Sequence, residues 1–189
     1  MGVLRIISGD RRGAHLRTPE GDETRPLRDR VRQALFNILR PRLRESRVLD
    51  AFAGSGAVGL EALSNGALHA TMVEPIPAAV AAIRDNVRKL RYEDRALVIQ
   101  GLTPESPARS PLVTQSFTLV FLMPPYHSGL GQAAIADIDL SRRIAPEAMA
   151  VCEVHRDEPF EPPPGWQISD DRAYGITRLA FLTRIGDVN

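Results

Sequence analysis

The stretch Val48-Leu49-Asp50-Ala51-Phe52-Ala53-Gly54-Ser55-Gly56-Ala57-Val58-Gly59 joins a carboxylate to two glycines that flank a serine. Glycines at 54 and 56 remove the Cβ atoms that would hold a ligand away from the backbone. A helix starting here aims its free N–H groups at whatever occupies the turn. Twenty residues past Gly54, the apolar run Thr71-Met72-Val73 ends in Glu74. At the end of a neighbouring strand, an acid at that offset can accept hydrogen bonds from both hydroxyls of a ribose. The spacing points to an adenosine ligand and does not separate nicotinamide dinucleotides from other adenosine compounds. Further on, Met123-Pro124-Pro125-Tyr126 couples a rigid dipeptide to an aromatic ring.

These residues need strands and helices to place them. Val48–Asp50 has strand length, and Leu60-Glu61-Ala62-Leu63 beyond the glycines has helix-forming composition. Residues 77–90 carry Ala78, Ala79, Ala81, Ala82, Ile83, Val87 and Leu90 and read as a second helix. Leu97–Ile99, Thr118–Leu122 and Ala148–Val154 are the third, fourth and fifth strands. A helix containing Ala133, Ala134, Ile135 and Ile138 precedes the fifth strand. Trp166–Ser169 and Leu179–Thr183 form a closing antiparallel pair, reached through the proline-rich run Pro159–Pro164. At the front, Arg5–Gly9 and Ala14–Arg17 make a hairpin with arginines at its tip. A helix from about Arg28, with Val31, Leu35, Ile38 and Leu39 at helical spacing, ends before Pro41. The expected fold is α/β and Rossmann-like. It has a seven-stranded, mostly parallel sheet with helices on both faces, formed by residues 46–189, and a small hairpin-and-helix extension formed by residues 1–45. Right-handed crossovers then bring the loops after the first and fourth strands side by side at the carboxyl edge.

Composition bounds the function. The chain has 189 residues and a net charge of +1, enough for one α/β domain and a short appendage. No run is long enough for a transmembrane helix and the first residues lack a signal-peptide pattern, so a cytoplasmic protein is expected. The single cysteine, Cys152, excludes an intrachain disulfide and a thiolate zinc cluster. The four histidines are scattered, and no metal site is expected. Trp166 reads as a core anchor. Residues 1–47 hold twelve arginines against six acids, whereas residues 48–189 hold twelve basic residues against seventeen acids. Arginine suits bidentate phosphate contact, and a basic arm on a nearly neutral domain reads as a nucleic-acid footprint.

Asp50-x-x-x-Gly54-x-Gly56 differs from the dinucleotide fingerprint and resembles the first motif of class I S-adenosylmethionine-dependent methyltransferases. A more specific resemblance covers nearly the whole chain. Arg5-Ile6-Ile7-Ser8-Gly9-x-x-x-Gly13, the segment Arg25-Pro26-Leu27-Arg28-Asp29-Arg30-Val31-Arg32-Gln33-Ala34-Leu35-Phe36-Asn37, the 48–59 motif and the terminal 173–178 segment together look like the bacterial family of 16S ribosomal RNA guanine-N2 methyltransferases. The resemblance implies S-adenosylmethionine as cofactor, held by Asp50, Ala53, Gly54, Ser55, Gly56, Glu74 and Leu102. Glu74 would take the ribose and Asp50 would lie near the methionine end. It implies 16S ribosomal RNA or a small-subunit particle as partner, with phosphates met by Arg5, Arg11, Arg12, Arg25, Arg28, Arg30 and Arg32. The protein is expected to act as a monomer, without metal or membrane.

Two positions depart from the pattern. Such methyltransferases commonly carry an Asp after the third strand to accept from the adenine amine, where this chain reads Gln100-Gly101-Leu102-Thr103-Pro104; a backbone N–H is the group left to read the ring. Families that methylate exocyclic amines carry Asp or Asn, then Pro-Pro and an aromatic residue. The amine's lone pair is delocalised, so a side-chain acceptor and the first proline's carbonyl must orient it, while the aromatic ring stacks on the extruded base. Here Met123 holds the acceptor's place, and a thioether cannot do its work. Pro124, Pro125, Tyr126 and Met123 are thus the candidate catalytic residues. A catalytically weak or inactive RNA-binding or ribosome-assembly protein, and an amine methyltransferase acting on DNA or a small molecule, are the alternative readings.

Overall fold

The computed structural model describes residues 4–18, 29–102, 116–140 and 143–185, with residues 138–140 as backbone only. Arg25 and Arg28 lie outside the described residues. Seven strands form one sheet: β1 (Arg47–Asp50), β2 (His69–Glu74), β3 (Ala96–Gln100), β4 (Phe117–Leu122), β5 (Ile144–His155), β6 (Trp166–Tyr174) and β7 (Thr177–Arg184). Their order is β3-β2-β1-β4-β5-β7-β6. Strands β1 to β5 pair in parallel, and β7 runs antiparallel to both β5 and β6. The α/β, mostly parallel seven-stranded architecture read from the sequence is the one observed.

Side chains alternate across the sheet and divide the core into two layers. Val48, Met72, Leu119 and Phe121 pack with helices α1 (Asp29–Leu43), α2 (Ala57–Ser64) and α3 (Pro77–Leu90) on one face. Leu49, Val73, Val120, Leu122 and Cys152 pack with α4 (Leu130–Leu140) on the other. Trp166 is buried in this second layer, as an anchor should be.

Three boundaries differ from the sequence reading. Helix α1 runs through Pro41 to Leu43. A proline this close to the helix end removes one intrahelical bond, and the burial of Leu39 and Leu43 holds the last turn in place. Strand β5 starts at Ile144, with a register shift against β4 near Phe117. Strand β6 continues through Asp170-Asp171-Arg172 to Tyr174, and the connection shrinks to Gly175-Ile176, where Gly175 has φ +63°. It is an edge strand with mostly exposed side chains, so it lacks an apolar signature.

All eight residues of α2 are buried. The sheet covers one side, and the N-terminal extension covers the other. In the extension, the N–H of Ile6 donates to Ala14 and that of Leu16 to Leu4, closing a short hairpin whose Ile6 and Leu16 enter the first core layer. The hairpin and α1 therefore share one core with the sheet. Gly9, at φ +84°, lies so close to α2 that a Cβ there would sit 1.9 Å from the Ser64 carbonyl oxygen.

Glu61, in the middle of α2, is the polar centre of this junction. Its carboxylate accepts from the N–H groups of Ile7 (2.9 Å) and Ser8 (2.7 Å) and from the Ser8 hydroxyl (2.8 Å). Arg32 completes the site, with Nε 3.7 Å from Glu61. One terminal nitrogen of Arg32 donates to the Arg5 carbonyl at 2.6 Å and to Asp29 at 3.1 Å. Arg32 is fully buried, which corrects its sequence-based assignment as a phosphate contact. Its charge is turned inward to neutralise Glu61 and bind a backbone carbonyl, so no phosphate reaches it. Burial lowers the Arg32 pKa from its ordinary value, and Glu61 and Asp29 act in the opposite direction.

Removing one partner of a buried pair leaves the other charge uncompensated. Glu61→Ala should destabilise the protein by about 3–5 kcal/mol in urea unfolding. Glu61→Gln, which keeps a carbonyl acceptor for the hairpin amides, should lose less.

Candidate functional site

The carboxyl ends of β1, β2, β3 and β4 converge on one edge. The turn after β1 is stitched to both neighbours: Ala51 N–H donates to the Phe121 carbonyl of β4 and Ala53 N–H to the Val73 carbonyl of β2. Glu74, at the end of β2, accepts from Gly54 N–H (2.8 Å) and from Ile76 N–H (3.0 Å). The acid chosen from spacing thus touches the glycine turn directly. Gly56 caps α2 in the left-handed region at φ +76°, and a Cβ there would press on Ile83 at 3.1 Å.

Asp50 sits beneath the turn and is fully buried. Its Oδ2 accepts from Gly59 N–H at 2.9 Å, while Oδ1 is buried without a hydrogen-bond partner. Gly59 is required at this contact, because a Cβ would lie 2.7 Å from Met72 Cγ. Burial pushes the Asp50 carboxyl up to about 7, opposed by the Gly59 N–H and assisted by the charge of Glu74. Ala53 and Ser55 are buried within the turn. Leu102, after β3, is 66% exposed, and Ile76, after β2, is 47% exposed. Both exposed apolar side chains thus follow neighbouring strands at the same edge. Nothing in the sequence singled out Ile76, which reads there as an ordinary loop residue.

The loop after β4 lies at the same edge. Pro124 is buried, and Met123 is half-buried and packs against the first core layer. The Tyr126 hydroxyl donates to Glu153 at 2.7 Å and lies 2.8 Å from the Thr177 hydroxyl. Its ring meets that of His155 edge-on, with centroids 5.4 Å apart. Sequence reasoning missed Glu153, a single polar residue in a strand that carries no motif, and it read Thr177 only as part of the terminal 173–178 segment, with no role of its own.

The basic extension is brought together only in part. Arg5, Arg12 and Arg30 are exposed and line a concavity of about 630 Å³ between the hairpin and the start of α1. Arg11 lies over the Tyr92 ring at 5.5 Å and donates from Nε to the Leu90 carbonyl, which docks the hairpin tip on α3. Among the described residues, no group of three or more His, Cys, Asp or Glu could hold a metal ion, and no helix is long and apolar enough to cross a membrane.

The model of one protein family, described as Conserved hypothetical protein 95, matches residues 4–183. The chain belongs to that family. It is 32% identical to the Haemophilus influenzae protein named Ribosomal RNA small subunit methyltransferase D, over 93% of this chain and 91% of that protein. The Escherichia coli K12 protein of the same name is 34% identical over 97% and 91%. The solved structure of the putative methyltransferase yhhF from Escherichia coli superposes with a TM-score of 0.83 at 31% identity, covering 97% of this chain and 98% of that one. The fold is that of class I methyltransferases.

The donor set fits an aminoacyl-adenosine sulfonium. Glu74 offers a carboxylate at the strand edge, and Asp50 carries an orphaned buried oxygen suited to a cationic group. The Asp50 shift has a definite sign. Between its unfolded value of 3.8 and its folded value of about 7, the folded protein holds a proton that the unfolded chain has lost. The ligand-free protein should therefore lose stability through this group as pH rises across that window, with no further loss above it. Asp50→Asn keeps an acceptor for Gly59 and cannot ionise. Its stability relative to the parent should climb from pH 5 to pH 8 in paired urea titrations.

Proposed function

We propose that this chain is an S-adenosylmethionine-dependent methyltransferase that transfers a methyl group to the exocyclic N2 of a guanine in 16S ribosomal RNA. The observation that carries the reading is the meeting of the Gly54 turn and the Pro124-Pro125-Tyr126 loop at one sheet edge, on a chain matched over nine-tenths of its length by proteins named ribosomal RNA small subunit methyltransferase D. The resemblance of the loop to those that methylate exocyclic amines supports the choice of N2.

When bound, the cofactor would supply an electrophilic methyl group on a sulfonium, with the amine proton passing to water. The chain's own residues do the positioning. Glu74 would hold the ribose hydroxyls, Ile76 and Leu102 would lie beside the adenine, and Asp50 would face the positively charged methionine end. The turn of Ala53, Gly54, Ser55 and Gly56 receives the rest. The Pro124 carbonyl accepts from the guanine amine, and the Tyr126 ring stacks on the base. Arg5, Arg12 and Arg30 meet phosphates from the concavity between the hairpin and α1; Arg25 and Arg28, just before α1 in sequence, belong to the same basic segment.

Met123 favours a second reading. Its side chain rests against the apolar core and offers no acceptor to the amine. Losing one preorganised polar contact costs roughly 10²–10³-fold in rate, which would leave a protein that binds cofactor and RNA and turns over slowly, as an assembly factor could. Calorimetry with S-adenosylmethionine, followed by labelled-methyl transfer to undermethylated small-subunit particles, separates the readings. Binding with transfer supports the enzyme, binding without transfer supports the assembly factor, and no binding overturns the cofactor assignment. Met123→Asp should raise transfer by at least about tenfold through the restored acceptor; an unchanged rate with cofactor still bound would rule out Met123 as the limiting residue.

A further inference from the structure

Tyr126 stands at the tip of a loop whose neighbours hold it from several directions. Its hydroxyl donates to Glu153 Oε1 at 2.7 Å, and the Thr177 hydroxyl lies 2.8 Å away. With the tyrosine proton committed to the carboxylate, Thr177 supplies the proton of the second bond. The hydroxyl is thereby used both as donor and as acceptor, which leaves the ring as the part of Tyr126 that can serve a substrate.

The rest of the loop is held from the same side. His127 adopts φ +59°, a backbone conformation that a non-glycine residue rarely takes without support. That support comes from Glu158, whose Oε2 accepts from the His127 N–H at 2.8 Å and from the His155 N–H at 3.3 Å. The Ser128 hydroxyl donates to the Pro125 carbonyl at 2.6 Å. Glu153 is on β5, Glu158 follows it, and Thr177 opens β7. The carboxyl end of β5 and the start of β7 thus act as a bracket for the loop after β4.

We propose that Glu153, with Thr177, is a positioning residue for the methyl-accepting base: it fixes the plane of the Tyr126 ring through the tyrosine hydroxyl, while Glu158 holds the strained turn behind it. The inference rests on the reading of this edge as the RNA base site. A ring free to swing about its side-chain torsions would stack on a base only part of the time. A ring pinned at its hydroxyl presents one orientation, so the ordering cost is met on folding rather than on binding.

The test uses the full-length protein with undermethylated small-subunit particles. Glu153→Ala and Tyr126→Phe should each raise the KM for particles up to about tenfold, the cost of ordering one side chain on binding. The Kd for S-adenosylmethionine should stay near that of the parent, and the urea midpoint should fall by no more than the loss of one hydrogen bond. The double variant should be no worse than either single one, because both remove the same bond. Glu153→Gln, whose amide oxygen still accepts from the tyrosine, should recover most of the loss. Additive effects, or a loss confined to stability or cofactor affinity, would overturn the proposal. Hydrogen exchange of amides 126–130 gives a readout independent of turnover, with Glu153→Ala expected to exchange faster than the parent. A parent that transfers no methyl would count against the proposed reaction, whereas equal exchange in parent and Glu153→Ala would count against the positioning role.

Discussion

The structure depends on the covering of α2. This helix begins at the glycine turn that faces the candidate cofactor site and ends against the N-terminal hairpin, and it is buried along its whole length. A helix buried all round cannot keep a polar side chain without giving it partners. Glu61 receives two backbone amides, a hydroxyl and a guanidinium. Those partners come from the hairpin and α1, so the extension is the second wall of α2 as well as a carrier of arginines.

That arrangement links the two ends of the proposed chemistry. Asp50 pins the first turn of α2 through Gly59, and Glu61 fixes the same helix to the hairpin two residues later. The helix that begins at the glycine turn is therefore also the helix on which the basic surface is mounted. Arg32 serves this internal purpose, Arg11 serves the docking of the hairpin on α3, and Arg5, Arg12 and Arg30 are left facing outward. An arginine-rich stretch of sequence is thus divided by the fold into charges that build the surface and charges that form it.

The far side of the edge follows the same logic with different groups. The loop after β4 contains a left-handed histidine and a buried proline, and it is held by carboxylates from β5 and its following turn and by a hydroxyl of β7. Gly131 lets α4 begin close against it, since a Cβ there would lie 2.6 Å from Cys152 Sγ and 3.4 Å from Pro124. The antiparallel strand β7 brings Thr177 to an edge otherwise made of strand ends, because its N-terminus lies where the parallel strands finish.

What the sequence determined by itself is local and periodic. Apolar runs of strand length marked the buried strands, the glycines of 54–56 marked the turn, and the offset of Glu74 placed an acid on the next strand. The Glu74 bond to Gly54 N–H is the direct outcome of that spacing. What only the tertiary structure decided is where charges point and which isolated polar groups meet. Arg32 and Arg30 are two residues apart on one helix, yet one is sealed against Glu61 and the other is open to solvent. Helical rotation of about 100° per residue separates them, and only the packing partner tells which face turns inward. Edge strand β6 lacked an apolar pattern because its side chains are mostly exposed. Glu153 and Glu158 carried no signal, and the 173–178 segment gave Thr177 no role, because their meaning lies in contacts 27 to 51 residues away along the chain, which no local pattern encodes.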